Sequence, residues 1–222
     1  MAGRITALKT QKTNTQRTNV YLDGAFAFAL HGLLAATLRV GQFLSDPEIA
    51  DLERRDAAEQ AHERALRFLS YRPRSVAEVS QHLAAKQIPQ DVVAQTVERL
   101  SEAGLLDDRA FARFWVENRE SFRPRGSAAL RYELRRKGVD EEAIQAAIRD
   151  VDEDDGAYRV ARAQALRLEQ ADRDTFRRRL TGYLRRRGYT YAAARVAVER
   201  LWRERAARDD AEQHTPSERS RR

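Results

Sequence analysis

Arginine is the residue of this chain best equipped to do chemistry on a partner, and it recurs in patterns. Arg72-Pro73-Arg74 and Arg123-Pro124-Arg125 each set two guanidinium groups about a proline. A guanidinium fork gives bidentate geometry to a carboxylate or phosphate, and proline fixes the local backbone. These four arginines are therefore candidate contacts to a partner. The alternative is that they cap or brace neighbouring helices, packing through their aliphatic stems. Clusters follow at Arg135-Arg136-Lys137, Arg177-Arg178-Arg179 and Arg185-Arg186-Arg187, with Lys86 at the place in the first third that Lys137 holds in the second. The last two clusters lie about two helical turns apart and can share a face, which suits contact with a polyanion.

Bond-breaking chemistry finds less support. There is no cysteine, so thiolate nucleophiles, thiolate metal sites and disulfides are excluded. His31, His62, His82 and His214 are scattered without ligand spacing and are expected at the surface. No glycine-rich phosphate loop, dinucleotide fingerprint or serine elbow is present. Asp107 and Asp108, with the acidic run Asp150, Asp152, Glu153, Asp154 and Asp155, could be imagined as metal ligands of a nuclease. A calcium loop starting at Asp150 fails, because Asp155 and Ala161 stand where glycine and glutamate are needed. Aspartates at a helix start are more often caps, and the acidic run reads as a solvated connector favouring the helix after it. A binding protein is expected, not an enzyme, with no cofactor and no metal.

Charge supports that expectation. Residues 1–110 carry 14 Lys/Arg against 14 Asp/Glu, residues 111–155 carry 9 against 11, and residues 156–222 carry 18 against 9. The whole basic excess of the +7 chain lies in its last third, pointing to a polyanion or an acidic protein surface met there. No stretch approaches the roughly 20 apolar residues of a membrane span. The start Met1-Ala2-Gly3-Arg4 lacks the apolar core of a secretory signal. A cytoplasmic chain is expected.

The elements that must position the arginines come in three copies, offset by about fifty residues, each a helical unit that needs neighbours to bury its apolar face. Leu83, Leu134 and Leu184 anchor them, with Val79, Leu130 and Leu180 one turn earlier, then Ile88, Val139 and Tyr189, and later Val97, Ile148 and Val198. Lys86, Lys137 and Arg187 sit near a helix C-terminus, where the macrodipole favours a cation. Gly138 and Gly188 follow as stops, and Gln87 breaks that pattern. Phe111, Phe114 and Trp115 form an aromatic stripe, expected to pack in the core, with base stacking as the alternative for Trp115.

Before the copies, alternation over Arg4–Gln11 and Arg17–Leu22, the turn Asp23-Gly24 and alternation over Ala25–Leu30 predict a three-stranded antiparallel unit. Ser45-Asp46-Pro47-Glu48 starts a helix. The fold class is thus mainly α: three tandem three-helix repeats preceded by a small N-terminal antiparallel β unit and a linking helix. The expected boundaries are 1–44 for the β-rich segment, 45–63 for the linking helix, 64–106, 107–154 and 155–206 for the repeats, and 207–222 for a disordered tail.

The phrases Ala65-Leu66-Arg67-Phe68-Leu69-Ser70-Tyr71-Arg72-Pro73-Arg74-Ser75, Gly104-Leu105-Leu106-Asp107-Asp108-Arg109-Ala110-Phe111-Ala112 and Arg123-Pro124-Arg125-Gly126 resemble the RecX family, regulators of the bacterial RecA recombinase. The likeness covers about Glu63 to Leu201, and the N-terminal strands resemble the segment of longer members. It implies three tandem helical triplets lying in the groove of a RecA filament on single-stranded DNA. Inhibition of that recombinase's ATP hydrolysis and strand exchange is implied as well. The implied partners are the RecA filament and single-stranded DNA, with duplex DNA as a further candidate and a monomeric chain. No catalytic residues carry over. A stand-alone DNA-binding regulator of helix-turn-helix type is the competing expectation.

Overall fold

The structure, a computed structural model, describes residues 1–213. Two compact units divide the chain, Met1–Asp107 and a second starting at Asp108.

The first unit opens with a sheet. Strands β1 (Gly3–Thr10), β2 (Arg17–Leu22) and β3 (Ala25–His31) pair antiparallel. Asp23 and Gly24 both take positive φ (48° and 87°), which joins β2 to β3 by the two-residue turn that matches strand twist. The expected three strands are in fact four. After a single-turn helix α1 (Gly32–Ala35), β4 (Phe43–Leu44) pairs with β1, giving the order β3-β2-β1-β4. Two residues of strand carry too little alternation to register as period-2. One sheet face buries Ile5, Val20, Leu22, Phe28 and Leu30 against Leu34, Leu38 and Leu44, with Ile49 and Leu52 of the following helix in the same core.

That helix, α2 (Asp46–Leu69), begins with the predicted cap: Ser45 N–H donates to Glu48 Oε2 at 2.7 Å. It runs unbroken for 24 residues, so the expected boundary at residues 63/64 falls inside it. Its first half packs on the sheet, tied there by buried Asp56, which accepts from His31 N–H (2.5 Å), Arg17 (3.0 Å) and Gln60 (2.7 Å). Its second half supplies Ala65, Phe68 and Leu69 to the first triplet, completed by α3 (Val76–Ala84) and α4 (Gln90–Glu102). Linking helix and first helix of the triplet are one element.

The second unit holds two triplets. One is α5 (Asp108–Phe122), α6 (Ser127–Arg136) and α7 (Glu141–Ile148). The next is α8 (Glu153–Ala165), α9 (Arg173–Arg186) and α10 (Tyr191–Gln213). The paired anchors of the middle helices lie at the centre of their cores, Val79, Leu83, Leu130, Leu134, Leu180 and Leu184 each being 0% exposed, whereas Ile88 and Val97 are only partly buried. Helix α10 continues through Gln213, past the expected start of a tail at residue 207; residues 214–222, including His214, lie outside the described residues.

The turn after the middle helix repeats too. Gly138 and Gly188 have φ of 76° and 86°, and Gln87 adopts 61° in the same place. The glycine pattern is broken in the side chain and kept in the backbone. A left-handed non-glycine residue costs on the order of 1–2 kcal/mol, which burial of Leu83 and its neighbours offsets.

Between the last two triplets the joint is a close approach of backbones. Gly126 N–H donates to Arg187 O (3.1 Å) and Ala128 N–H to Gly188 O (3.2 Å). A Cβ on Gly126 would lie 2.3 Å from Gly188 O, so only glycine fits there. Glycine has no side chain to cap α6, and the cap comes from the next triplet. Glu153 accepts from Ser127 N–H through Oε1 (2.7 Å) and from Thr190 N–H through Oε2 (3.1 Å). One carboxylate therefore serves the N-termini of α6 and α10 while standing in the first turn of α8, where three positive dipole ends converge. Asp152 caps α8 as expected of the acidic run, but Glu153 is half-buried, so the run is not wholly a solvated connector.

Candidate nucleic-acid interface

Helix α9 is fixed by ordinary means. Asp172 accepts from Thr175 N–H (2.9 Å) at its start, Gly188 turns the chain at its end, and Phe176, Leu180 and Leu184 are buried along one side. Phe176 meets Trp202 of α10 edge-on at 5.3 Å, pinning the helix to its neighbour. With that side committed, Arg177, Arg178, Arg179, Arg185 and Arg186 are left exposed. Arg177 has Asp174 at 3.6 Å, and among the described residues no carboxylate pairs with the other four. Arg187 is half-buried and lies 4.7 Å over the Tyr183 ring. Arg178 and Arg185, two turns apart, line an open cleft of about 640 Å³ with Asp174, Arg177, Thr181, Gly182 and Tyr191. The expectation that the two clusters share a face holds for Arg177, Arg178 and Arg185.

The other arginines are engaged within the chain to different degrees. Arg72 grips Glu78 with both nitrogens (3.1 and 2.8 Å) and donates to Pro73 O (2.7 Å). Glu78 is itself the reciprocal partner in the capping box with Ser75, so Arg72 braces the start of α3. Arg74 lies 3.9 Å over the Phe68 ring, which stacks on His82 at 4.0 Å and 3°. Arg125 reaches Glu133 at 3.9 Å, and Glu133 also accepts from Trp115 Nε1 (2.9 Å) and Arg119 (2.7 Å). Arg123 is exposed. For Arg72 and Arg74 the bracing geometry is the one realised. Trp115 packs against the core of its triplet, with Arg119 at 4.5 Å and Lys137 at 5.0 Å over its ring. Arg136 lies 5.9 Å from the exposed Tyr132 ring, and Lys86 is exposed. Arg135 pairs with Glu141 at 2.8 Å, and Arg131 reaches the same carboxylate at 3.3 Å. Bonds from Gln145 and Arg135 hold the Glu141 carboxyl below its ordinary value.

Three histidines correct the expectation of surface placement. His31 is half-buried and pairs with Glu63 at 3.0 Å, while His62 and His82 are half-buried as well. Burial first, then Arg99, lowers the pKa of His62; burial, then Lys86, Arg74 and Arg64, lowers that of His82. Burial pushes the Tyr189 hydroxyl up to about 12, and among the described residues it has no hydrogen-bond partner. Among the described residues no group of three or more acidic or histidine side chains is placed to hold a metal, and no helix is long and apolar enough to cross a membrane.

Two functional candidates escaped sequence reasoning, Tyr191 and Glu141. Both are the first residue of the third helix of a triplet. The offset of about fifty superposes them, so the signal was present in a comparison of non-anchor positions.

Comparison with known proteins agrees with this architecture. Family models match residues 3–44 (regulatory protein RecX N-terminal domain), 61–100 (RecX, first three-helix domain) and 107–148 (RecX, second three-helix domain). The chain is 32% identical over 202 residues to regulatory protein RecX of Bacillus subtilis (strain 168), covering 89% of this chain and 76% of that protein. It is 42% identical over 144 residues to regulatory protein RecX of Mycobacterium sp. (strain JLS), covering 61% and 78%. A crystal structure of regulatory protein RecX superposes with a TM-score of 0.74 at 24% identity over 90% of this chain and 100% of that one. RecX from Lactobacillus salivarius gives 0.62 at 20% identity over 66% and 97%. A sheet of the N-terminal type, helical triplets in tandem and a 202-residue alignment to a named regulator place this chain in the RecX family of regulatory proteins.

Proposed function

We propose that this chain binds the RecA filament assembled on single-stranded DNA and restrains its ATP hydrolysis and strand exchange, acting as a monomer in the cytoplasm. The observation that carries the reading is the α9 surface. Four guanidinium groups, Arg178, Arg179, Arg185 and Arg186, stand exposed with no carboxylate partner among the described residues, in the part of the chain that holds the whole basic excess. Unneutralised arginines on a rigid helix attract phosphate at long range and grip it at short range. Arg123, Arg136 and Lys86, also exposed, extend the candidate contacts to the first two triplets. Arg72, Arg74, Arg125, Arg135, Lys137, Arg177 and Arg187 have partners within the chain and would contribute less to binding than the exposed cations.

The test is RecA-dependent ATP hydrolysis on single-stranded DNA, with and without this protein. Hydrolysis should fall with added protein, and Arg178→Glu combined with Arg185→Glu should relieve the inhibition. Hydrolysis that stays constant up to a large excess of the chain sinks the proposal. Sequence-dependent duplex binding in the absence of RecA would favour a stand-alone DNA-binding regulator instead.

A further inference from the structure

The second and third triplets present the same face with opposite outcomes. In the second, Glu141 at the start of α7 reaches back to α6 and pairs with Arg135 (2.8 Å) and Arg131 (3.3 Å). Tyr132 stands between those arginines on α6, 63% exposed. In the third, the residue in the place of Glu141 is Tyr191, and the one in the place of Tyr132 is Gly182. The acid that closes the face is gone, and so is the ring that fills it. What remains is the cleft between Arg178 and Arg185, floored by Gly182 and walled by Tyr191, itself 63% exposed. The one acid in the cleft, Asp174, faces Arg177 at 3.6 Å.

We propose that Arg178, Arg185 and Tyr191 form a binding site for single-stranded nucleic acid, the guanidinium groups taking phosphate and the phenol ring taking a base. This rests on the reading that the third triplet meets a nucleic acid, and it names the strand and the residues. An exposed aromatic beside a cationic groove is the arrangement that binds unpaired bases, since a duplex keeps its bases stacked out of reach. At Gly182 the place of a side chain is met by the Arg186 guanidinium, 3.3 Å from where a Cβ would stand, which brings a further cation beside the cleft. In the second triplet only Arg135 stands in the place of a site arginine, Arg185, while Ala128 stands in the place of Arg178; Glu141 neutralises Arg135 together with Arg131, whose place in the third triplet Thr181 holds.

The experiment is fluorescence anisotropy of labelled oligothymidylate, and of a duplex of equal length, titrated with the full chain and no RecA. Tyr191→Phe should bind the single strand as the parent does. Tyr191→Ala should weaken it about tenfold, as loss of one stacked base implies, with little effect on the duplex. Tyr191→Glu, which copies the second triplet, should weaken it further. Because Tyr191 is exposed in a first helical turn, where an acid is favoured, that variant keeps its helix. Conversely Glu141→Gln frees Arg131 and Arg135 and should tighten binding about threefold, the direction a folding defect cannot give. Parent-like affinity in Tyr191→Ala and Tyr191→Glu, equal losses on both DNA forms, or a parent that does not bind oligothymidylate each overturn the site. A chain that leaves RecA's ATP hydrolysis untouched but shows the Tyr191 dependence overturns the proposed function and leaves the site standing.

Discussion

Removing the Glu153 carboxylate should loosen the last two triplets together. The side chain accepts two backbone N–H groups, from Ser127 at 2.7 Å and Thr190 at 3.1 Å, and among the described residues no other side chain caps α6, because Gly126 has none. A hydrogen bond to a charged acceptor contributes on the order of 1.5–3 kcal/mol, and the convergent dipoles add a few tenths each. Ser127 is half-buried and Thr190 exposed, so water recovers part of the loss. Glu153→Ala should therefore cost about 2–3 kcal/mol. Glu153→Gln should fall between parent and alanine, since its single oxygen satisfies one N–H and its amide opposes the other. Asp154→Ala, an exposed neighbour in the same turn, should cost less than about 0.5 kcal/mol. Both tryptophans, Trp115 and Trp202, lie in the second unit, one in each triplet, so intrinsic fluorescence in urea reads that unit alone. The midpoint should drop by about 1–2 M for Glu153→Ala. In Trp115→Phe and Trp202→Phe backgrounds the remaining probe should report the same shift. The sign in acid follows from the same bonds. Burial alone would raise the Glu153 carboxyl, but the bonds from Thr190 and Ser127 outweigh it and hold it below 4.5. That stabilisation is present above pH 4.5 and is lost as pH falls through the lowered folded value, so the alanine variant should lack this part of the acid-side slope. A midpoint for Glu153→Ala indistinguishable from that of Asp154→Ala, or a shift seen by one tryptophan only, refutes the reasoning.

Other outcomes follow from single features. Gln87→Gly should stabilise the first unit by about 1 kcal/mol, because glycine accepts the φ of 61° without strain; a thermal melt of the full chain that moves downward contradicts this. Tyr189→Phe removes a buried hydroxyl without a partner and should leave stability unchanged or raise it by up to about 1 kcal/mol in urea, whereas a loss means that the hydroxyl is satisfied. His62 and His82 have lowered pKa values in the folded chain, so the unfolded chain takes up protons first. Stability should be full above pH 6.5 and decline as pH falls below it, and His82→Phe, which keeps the stack on Phe68, should flatten that decline. Affinity for single strands should fall with salt at a slope of roughly −0.7 per phosphate neutralised, and Arg185→Ala should reduce the slope by about that amount; a flat response excludes phosphate contact.

How much of this was legible before the structure depends on what kind of signal each feature leaves. The apolar anchors repeat because each triplet must bury the same face, and Leu83, Leu134 and Leu184 could be aligned by eye. The hairpin turn at Asp23-Gly24 was equally plain, since few residue pairs suit two positive φ values. Strand β4 was not legible, because two residues have no period and their pairing with β1 is set by a chain reversal after α1. Nor was the role of Glu153. In sequence it is one acid among five, and what singles it out is a pair of N–H groups 26 and 37 residues away. The arginine pairs were visible as chemistry but not as geometry: Arg72 is committed to Glu78 six residues on, while Arg123, in the same motif, stays exposed.

The positions at which the triplets depart from one another carry the most information about what each one meets. Ser75 caps its own helix in the first triplet, whereas its counterpart Gly126 leaves room for the backbone at Gly188 and takes its cap from Glu153. A substitution that would be costly in an isolated unit is compensated by a neighbour, which marks a joint. Tyr191 in the place of Glu141 is the opposite case. Here the acid that pairs with Arg135 is deleted and among the described residues no other carboxylate replaces it, so its counterpart Arg185, with Arg178 nearby, stays unneutralised at a cost in self-repulsion. A folded chain tolerates such a cost where the missing charge arrives from outside. By that reasoning the compensated departure belongs to the architecture of the second unit, and the uncompensated one to its partner.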